Sequence, residues 1–393
     1  LILPEALRSL FGDRSSIPFS QFMGFALYDS SFGFYARGGR AGRGADFLTS
    51  PEVGPLFGAV LARALDGWWH DAGRPDPFVV VEVGAGPGTL ARSIRFAAPE
   101  CASSLLYVLV ERSAFQRSLH GEHLPGWMGE RSGFELEAFV CSPQQGDGPQ
   151  FVSAAEPPSG FRGVVLANEL LDNLPFDIVR LTAAGVVEEL QVCLSSEDPA
   201  SDDVAVIDLD PQFDPVAVEA TSILAAEVRA FAQRTPGLPT DLWFPWQSDA
   251  AAWVRDIHSR LEAGHVLVFD YCAQTVELAS RPAMGWLRTF RDQQRGSHPF
   301  DAPGSQDITC DVAVDQLQMA HPISNVESQA EFLRGLGIDD LVDRGRALWN
   351  DRAHVGDLAA VRGRSAVREA EALLDPDGLG AFAVLHWEHH PQE

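Results

Sequence analysis

The stretch Val79-Val80-Val81-Glu82-Val83-Gly84-Ala85-Gly86-Pro87-Gly88-Thr89-Leu90 decides the fold. A β-branched run leaves the turn residues Arg74-Pro75-Asp76-Pro77 and reads as a strand. Glycine then takes every second position, and Leu90-Ala91-Arg92-Ser93-Ile94 continues as a helix. Strand, glycine loop and helix, in that order, open the ligand site of a doubly wound α/β sheet. Glycine permits φ > 0 and lets the backbone pass close to a ligand. A tight turn with no ligand is the competing reading of the same residues.

Downstream, strand and helix patterns alternate to about residue 180, the signature of a parallel sheet. Strands are expected at 78–83, at 105–110 ending in Glu111-Arg112-Ser113, near Phe134–Val140, and at Val164–Ala167. The last runs into Asn168-Glu169-Leu170-Leu171-Asp172-Asn173-Leu174-Pro175. Past Pro175 the segments 176–181 and 186–194 read as a hairpin. They are followed by an acidic loop over 195–203, a helix over 216–233 and an irregular stretch over 236–246. A helix near 249–262 leads back to a strand at Gly264–Tyr271. Residues 280–310 look loop-rich, with Arg288, Arg291, Arg295 and His298 on the surface; 311–363 look mostly helical, and Leu379–Trp387 reads as a closing strand.

Upstream, Phe19, Phe22, Met23, Ala26 and Leu27 recur at helical spacing, and Gly38 to Gly44 form a glycine-rich loop. In Asp46-Phe47-Leu48-Thr49-Ser50-Pro51-Glu52, Ser50 is placed to cap a helix with Pro51 at its first position. That helix is expected to run to Trp68-Trp69. The division that follows is an N-terminal helical lid over 1–75, the first half of a core over 76–180, an insertion over 181–250, and the second half of the core over 251–393.

The chain has 393 residues and a formal charge of −26, from 55 acidic against 29 basic groups. That balance argues against nucleic-acid binding and suits a basic peptide or a cationic ligand. Every basic residue is Arg, a composition expected of a GC-rich bacterial genome. No apolar run approaches the ~18 residues of a membrane helix. Leu1-Ile2-Leu3-Pro4-Glu5 has a short apolar run and no basic flank, unlike a secretory signal. Cysteines 101, 141, 193, 272 and 310 form no C-x-x-C pair, so no zinc or disulfide framework is assigned and a reducing cytoplasm is expected.

Position alone marks several acids. Glu111 ends the second strand, where an acid accepts hydrogen bonds from ribose hydroxyls in nucleotide-binding sheets. Asn168, Glu169 and Asp172 follow the fourth strand, on the edge where substrates of such sheets lie. Glu169 and Asp172 would share a face if that segment turned helically. Capping of a strand-to-helix loop is the competing reading.

The spacing around the glycines is E-x-G-x-G-x-G, with Thr89 where a dinucleotide fingerprint has its third glycine. It is similar to the first motif of class I S-adenosylmethionine-dependent methyltransferases. The chain as a whole resembles the MidA-type methyltransferases, whose mitochondrial member, complex I assembly factor seven, is a protein arginine methyltransferase. The matching stretches are Phe22-Met23 with Ala26-Leu27-Tyr28 and Gly33-Phe34-Tyr35; Asp46 to Glu52 with Phe57-Gly58; Glu82 to Leu90; Val110 to Ser113; Ala167-Asn168-Glu169 with Leu171-Asp172 and Leu174-Pro175; Asp270-Tyr271; Pro303-Gly304 with Asp307-Ile308-Thr309; and Phe332-Leu333 with Leu336-Gly337-Ile338. Three departures stand out: Ala45 and Cys272 replace family glycines, and Asp311 and Ala313 replace the His and Asp of the family's D-x-T-A-H-V-D-F stretch.

The resemblance implies a seven-stranded Rossmann-like sheet with a helical lid and S-adenosyl-L-methionine as cofactor. It implies that Glu82, Gly84, Gly86, Gly88 and Glu111 hold the cofactor. Thr49 and Ser50 would belong to a lid folded over it, an N-cap being the competing role. Glu169, Asp172 and Asn168 would face the acceptor, a protein arginine side chain. Two other readings stay open. One is a non-catalytic assembly factor that binds the cofactor, suggested by the altered 307–314 stretch. The other is an NAD-dependent oxidoreductase, opposed by Thr89.

Overall fold

A computed structural model describes residues 9–37, 49–141, 148–194, 213–291, 294–296 and 298–390. The glycine-rich segment 38–44, Asp46 and the acidic loop 195–203 lie outside the described residues. Two compact units divide the chain: one holds Leu1–Gly39, Leu171–Arg255 and Cys272–Pro322, the other Arg40–Leu170, Asp256–Tyr271 and Ile323–Glu393.

The second unit is built on an eight-stranded sheet. Its strands are β1 (Phe78–Val83), β2 (Leu105–Val110), β3 (Trp127–Glu130), β4 (Gln150–Ala154), β5 (Phe161–Asn168), β6 (Leu261–Asp270), β7 (Asn325–Ser328) and β8 (Ala383–His389). In space they run β7-β8-β6-β5-β1-β2-β4-β3. All neighbouring pairs are parallel except the two that β8 makes, with β6 and with β7. β1 and β2 are buried along their whole length, as expected of parallel strands covered on both faces. Helices α1 (Pro55–Asp71) and α2 (Thr89–Ala97) supply Phe57, Val60, Leu61, Leu90 and Ile94 to the same core as Val80, Leu267, Phe269 and Val384.

Three expectations fail in this unit. Phe134–Val140 is not a strand but part of the helix Gly133–Val140; Leu136 and Val140 are buried one turn apart while Phe134 is 83 % exposed. The strand beside β2 is β4. The helix of the T-S-P-E segment breaks at Gly54 into a single turn, Ser50–Val53, and α1. The mostly helical 311–363 contains strand β7, whose residues Asn325-Val326-Glu327-Ser328 carry no apolar pattern because the edge is solvent-facing.

The first unit has its own five-stranded sheet. Ser16–Pro18, Val187–Leu194, Asp177–Leu181 and Trp243–Trp246 lie in that order, with Phe213–Glu219 also on Val187–Leu194. The hairpin 177–194 is antiparallel as expected. The helix Ser222–Arg234 lays Leu224, Ala225, Val228 and Phe231 on Val179, Val187 and Phe244. Strands Leu287–Arg291 and Asp307–Cys310 pair within the stretch read as loop-rich. Among the described residues no helix is long and apolar enough to cross a membrane.

Candidate active site

The glycine loop starts where β1 ends. Gly84, Gly86 and Gly88 have φ of +74°, +52° and +85°, which L side chains rarely adopt. The three glycines have different surroundings. A Cβ at Gly88 would lie 3.0 Å from Leu109 and 3.5 Å from His120, so packing beneath the loop requires glycine there. A Cβ at Gly84 would meet Leu170 at 3.0 Å. A Cβ at Gly86 would meet nothing within 4 Å. Gly86 is therefore where the loop backbone fronts open space.

Two side chains fix the Gly86 peptide groups. Glu111, at the end of β2, accepts from Gly86 N–H at 3.0 Å through Oε2 and from Ser113 N–H at 2.7 Å through Oε1. Burial raises its pKa, and those backbone donors oppose the rise. On the other side, His120 Nε2 lies 2.8 Å from Gly86 O, and His120 Nδ1 lies 2.7 Å from Ser153 Oγ. A carbonyl can only accept, so Nε2 carries the proton and Nδ1 accepts from the serine hydroxyl. Trp127 Nε1–H in turn donates to Ser153 Oγ at 3.1 Å. Burial lowers the pKa of His120, which keeps it in this neutral state.

Glu82 sits beneath the loop. It is 5 % exposed, and Tyr107 Oη donates to its Oε2 at 2.8 Å. Burial is the main cause that pushes its pKa up to about 8, with the Glu111 charge adding to it. Glu82, which the resemblance assigns to the cofactor, is thus a buried acid whose raised pKa favours the protonated form and whose bond to Tyr107 joins β1 to β2.

Thr49, not Ser50, occupies the N-cap position of the Ser50–Val53 turn, and it makes no side-chain cap bond. Ser50 is wholly buried and donates from Oγ to Gln329 Oε1 at 2.9 Å. A buried hydroxyl needs a partner, and the Gln329 amide satisfies it better than an exposed helix end would. Glu52 reaches the glycine loop: Thr89 Oγ1 donates to its Oε1 at 2.6 Å.

Asn168 and Glu169 stand at the carboxyl end of β5, across from the start of the loop, since Ala167 pairs with Val83. Glu169 has φ of +50°, a strained conformation for a residue with a side chain. Its N–H donates to Phe269 O at 2.8 Å, and its Oε1 accepts from Asn168 Nδ2 at 3.1 Å. Asn168 Oδ1 is buried with no hydrogen-bond partner among the described residues. A buried acceptor without a donor is costly unless a ligand supplies one. The helical turn expected over 169–172 is absent, because Glu169 is left-handed and the 3₁₀ turn begins only at Leu171.

Asp172 belongs to that 3₁₀ turn, in the first unit, and is 3 % exposed. Around it, Asp307 Oδ1 accepts from Tyr35 Oη and from Asn173 Nδ2, both at 3.0 Å. Tyr28 stacks on Tyr35 with ring centres 5.5 Å apart and donates to Asn173 O. Burial and the Asp307 charge hold the Tyr35 pKa well above its usual value. Asp311, where the family has His, is 6 % exposed and ion-paired to Arg281 at 2.8 Å and to Arg288. The departure is thus a compensated ion pair. His298, expected on the surface, is 6 % exposed, and its Nδ1 accepts from Phe300 N–H.

Sequence reasoning missed His120, Ser153 and Tyr107. The signal for His120 was a polar pair, Gln116 and His120, one turn apart on the buried face of Ala114–His123.

The parallel strand order and the glycine loop between β1 and α2 define a class I methyltransferase fold. The chain belongs to the family described as "Putative S-adenosyl-L-methionine-dependent methyltransferase", whose profile matches residues 60–330. It is 26% identical over 347 residues to the zebrafish (Danio rerio) mitochondrial protein arginine methyltransferase NDUFAF7, covering 82% of this chain and 74% of that one. It is 37% identical to the Drosophila melanogaster homologue over 92 residues, which are 23% of this chain and 21% of the relative. Among solved structures, a Burkholderia thailandensis protein bound to S-adenosyl-homocysteine superposes with a TM-score of 0.74 at 26% identity, over 97% of this chain and 90% of that one. The protein is an S-adenosylmethionine-dependent methyltransferase. Its residues fit that cofactor: Gly86 leaves open space, and Asn168 Oδ1 is a buried acceptor in want of a donor.

Proposed function

We propose that this protein methylates an arginine side chain of another protein. The observation that carries the reading is Glu169, held at φ +50° at the carboxyl end of β5 with its carboxylate tied to Asn168. Strain of this kind persists where the surroundings fix it, and it clusters at reactive sites. The relatives named protein arginine methyltransferases support the same choice of acceptor. The cofactor, when bound, supplies an electrophilic methyl on sulfonium. A guanidinium arrives fully charged and is a poor nucleophile. Glu169 can accept two of its N–H donors, orient the fork and take up charge as a proton leaves. Asn168 holds that carboxylate in place. Asp172 is a second acid assigned to the acceptor. Gly84, Gly86, Gly88 and Glu111 are assigned to the cofactor, with Glu82 supporting them from below and Thr49 and Ser50 at the margin.

The test is transfer of labelled methyl into a protein lysate, with hydrolysis of the product to amino acids. Label in methylarginine is expected. Label confined to another residue, or to small molecules, would overturn the arginine assignment and leave the methyltransferase class intact.

A further inference from the structure

We propose that His265, His386 and Glu388 form a binding site for a divalent transition metal ion, zinc foremost, with His390 as a fourth donor at its mouth. The sheet builds the site. In the antiparallel β6–β8 pair, His265 faces Glu388 and Leu267 faces His386. Residues 386 and 388 lie on one side of β8 and paired residues share a face, so His265, His386 and Glu388 project from the same face, with His390 just past the end of the strand. That face is the core face further along, where Phe269 and Leu267 meet Val384. Toward the amino-terminal end of β6 the apolar row becomes a row of metal-binding side chains.

The distances suit an ion. His265 Nδ1 and His386 Nε2 are 3.0 Å apart. Two imidazoles on a tetrahedral zinc, at bonds of about 2.0–2.1 Å, bring their nitrogens to about 3.3 Å. One donor atom from each of His265, His386 and Glu388 lies within 4.8 Å of the others. His390 Nε2 is 3.9 Å from Glu388 Oε2. Two imidazoles and a carboxylate suit zinc and its neighbours rather than magnesium or calcium, which take oxygen ligands.

The surroundings hold the rings in position. Trp68 of α1 stacks on His265 at 4.9 Å and lies 6.0 Å from His386. Orientation of ligand rings by such neighbours is a property of built metal sites. Glu388 and His390 are exposed, which leaves an entry path for the ion. The site lies in the amino-terminal half of β6, away from the carboxyl edge that carries the glycine loop and Asn168. An ion there would staple β8 to β6 rather than take part in methyl transfer. Cysteine spacing could not reveal this site, because its ligands meet only across the sheet.

The experiment is titration of tag-free, chelator-treated full-length protein with Zn²⁺ by calorimetry and with Co²⁺ by visible absorption. One ion per chain is expected, with a Kd of about 1 μM or tighter, tetrahedral cobalt bands, and a Zn²⁺-dependent rise in Tm. His386→Ala should weaken binding by about tenfold or more. Glu388→Gln with His390→Ala, both at exposed positions, should weaken it without disturbing the fold. Absence of saturable binding overturns the proposal, and so does wild-type affinity in the Glu388→Gln, His390→Ala protein.

Discussion

His120 donates from Nε2 to the carbonyl oxygen of Gly86 at 2.8 Å, and the amide of the same residue is held by Glu111 at 3.0 Å. Gly86, the loop glycine at which a Cβ would meet nothing, is thus clamped from both ends of its backbone. Both clamps hold the backbone of Gly86 itself. They set the shape of the loop before any ligand arrives, which lowers the ordering cost of binding.

His120→Ala is therefore expected to weaken S-adenosylhomocysteine binding by roughly 1–3 kcal/mol, the cost of leaving a buried acceptor unpaired. Calorimetry checks it. Unchanged affinity would show that Glu111 alone suffices to shape the loop.

Gly86 and Gly88 should separate when replaced. Both carry positive φ, so alanine costs each about 1–2 kcal/mol of backbone strain. Only at Gly88 does the new Cβ press on Leu109 and His120. Gly88→Ala should lower Tm more than Gly86→Ala does. Gly86→Val should abolish cofactor binding in a folded protein, since its side chain would occupy the open face. Equal Tm losses at 86 and 88 would contradict the packing role given to Gly88.

Glu82 makes stability depend on pH with a defined sign. Its folded pKa is raised from 4.5 to about 8. Between those values the native state binds the extra proton, so stability falls as pH rises through the window. Glu82→Gln carries one acceptor and one donor face, like the protonated acid, and removes the titration. Wild type and Glu82→Gln should have similar Tm near pH 5, and the variant should gain on wild type up to about pH 8 and level off above it. Parallel Tm curves across that range would mean that Glu82 ionises normally.

Glu169→Gln should keep cofactor binding and lose about 10²–10⁴ in methyl transfer, the scale of a positioned acid–base group. Gln turns donors toward the donors of the guanidinium. Asp172→Asn should act in the same direction with smaller effect. Single-turnover methylation beside calorimetric binding of S-adenosylhomocysteine decides the matter. Near wild-type turnover would remove Glu169 from the acceptor site, and loss of binding would move it to the cofactor.

The strand–loop–helix unit was readable because its signals are local: β-branched residues, glycines at alternate positions, then helical spacing. The hairpin over 177–194 was readable for the same reason. Strand β7 was not, since an exposed edge strand needs no apolar pattern. Phe134–Val140 misled because its apolar residues alternate, and only the depth of Leu136 and Val140 distinguishes helix from strand. At the site, the acids at strand ends could be placed from topology alone. The support beneath them could not. Ser153 lies 33 residues from His120 and 26 from Trp127, and only the sheet aligns their hydrogen bonds.

Strand β8 lies between β6 and β7, and its Trp387 is wholly buried. The sheet that carries the cofactor loop therefore waits, during synthesis, for residues 383–389 to leave the ribosome. Until then β6 has an open edge, with Val266, Leu267 and Val268 unpaired on that side, the kind of surface that chaperones and neighbouring nascent chains engage. A stop codon or a proteolytic cut just before Ala383 would leave every residue up to Phe382 in place. By position it would excise an interior strand, and a fragment of otherwise intact sequence should be cleared or aggregate instead of persisting as a weakened enzyme.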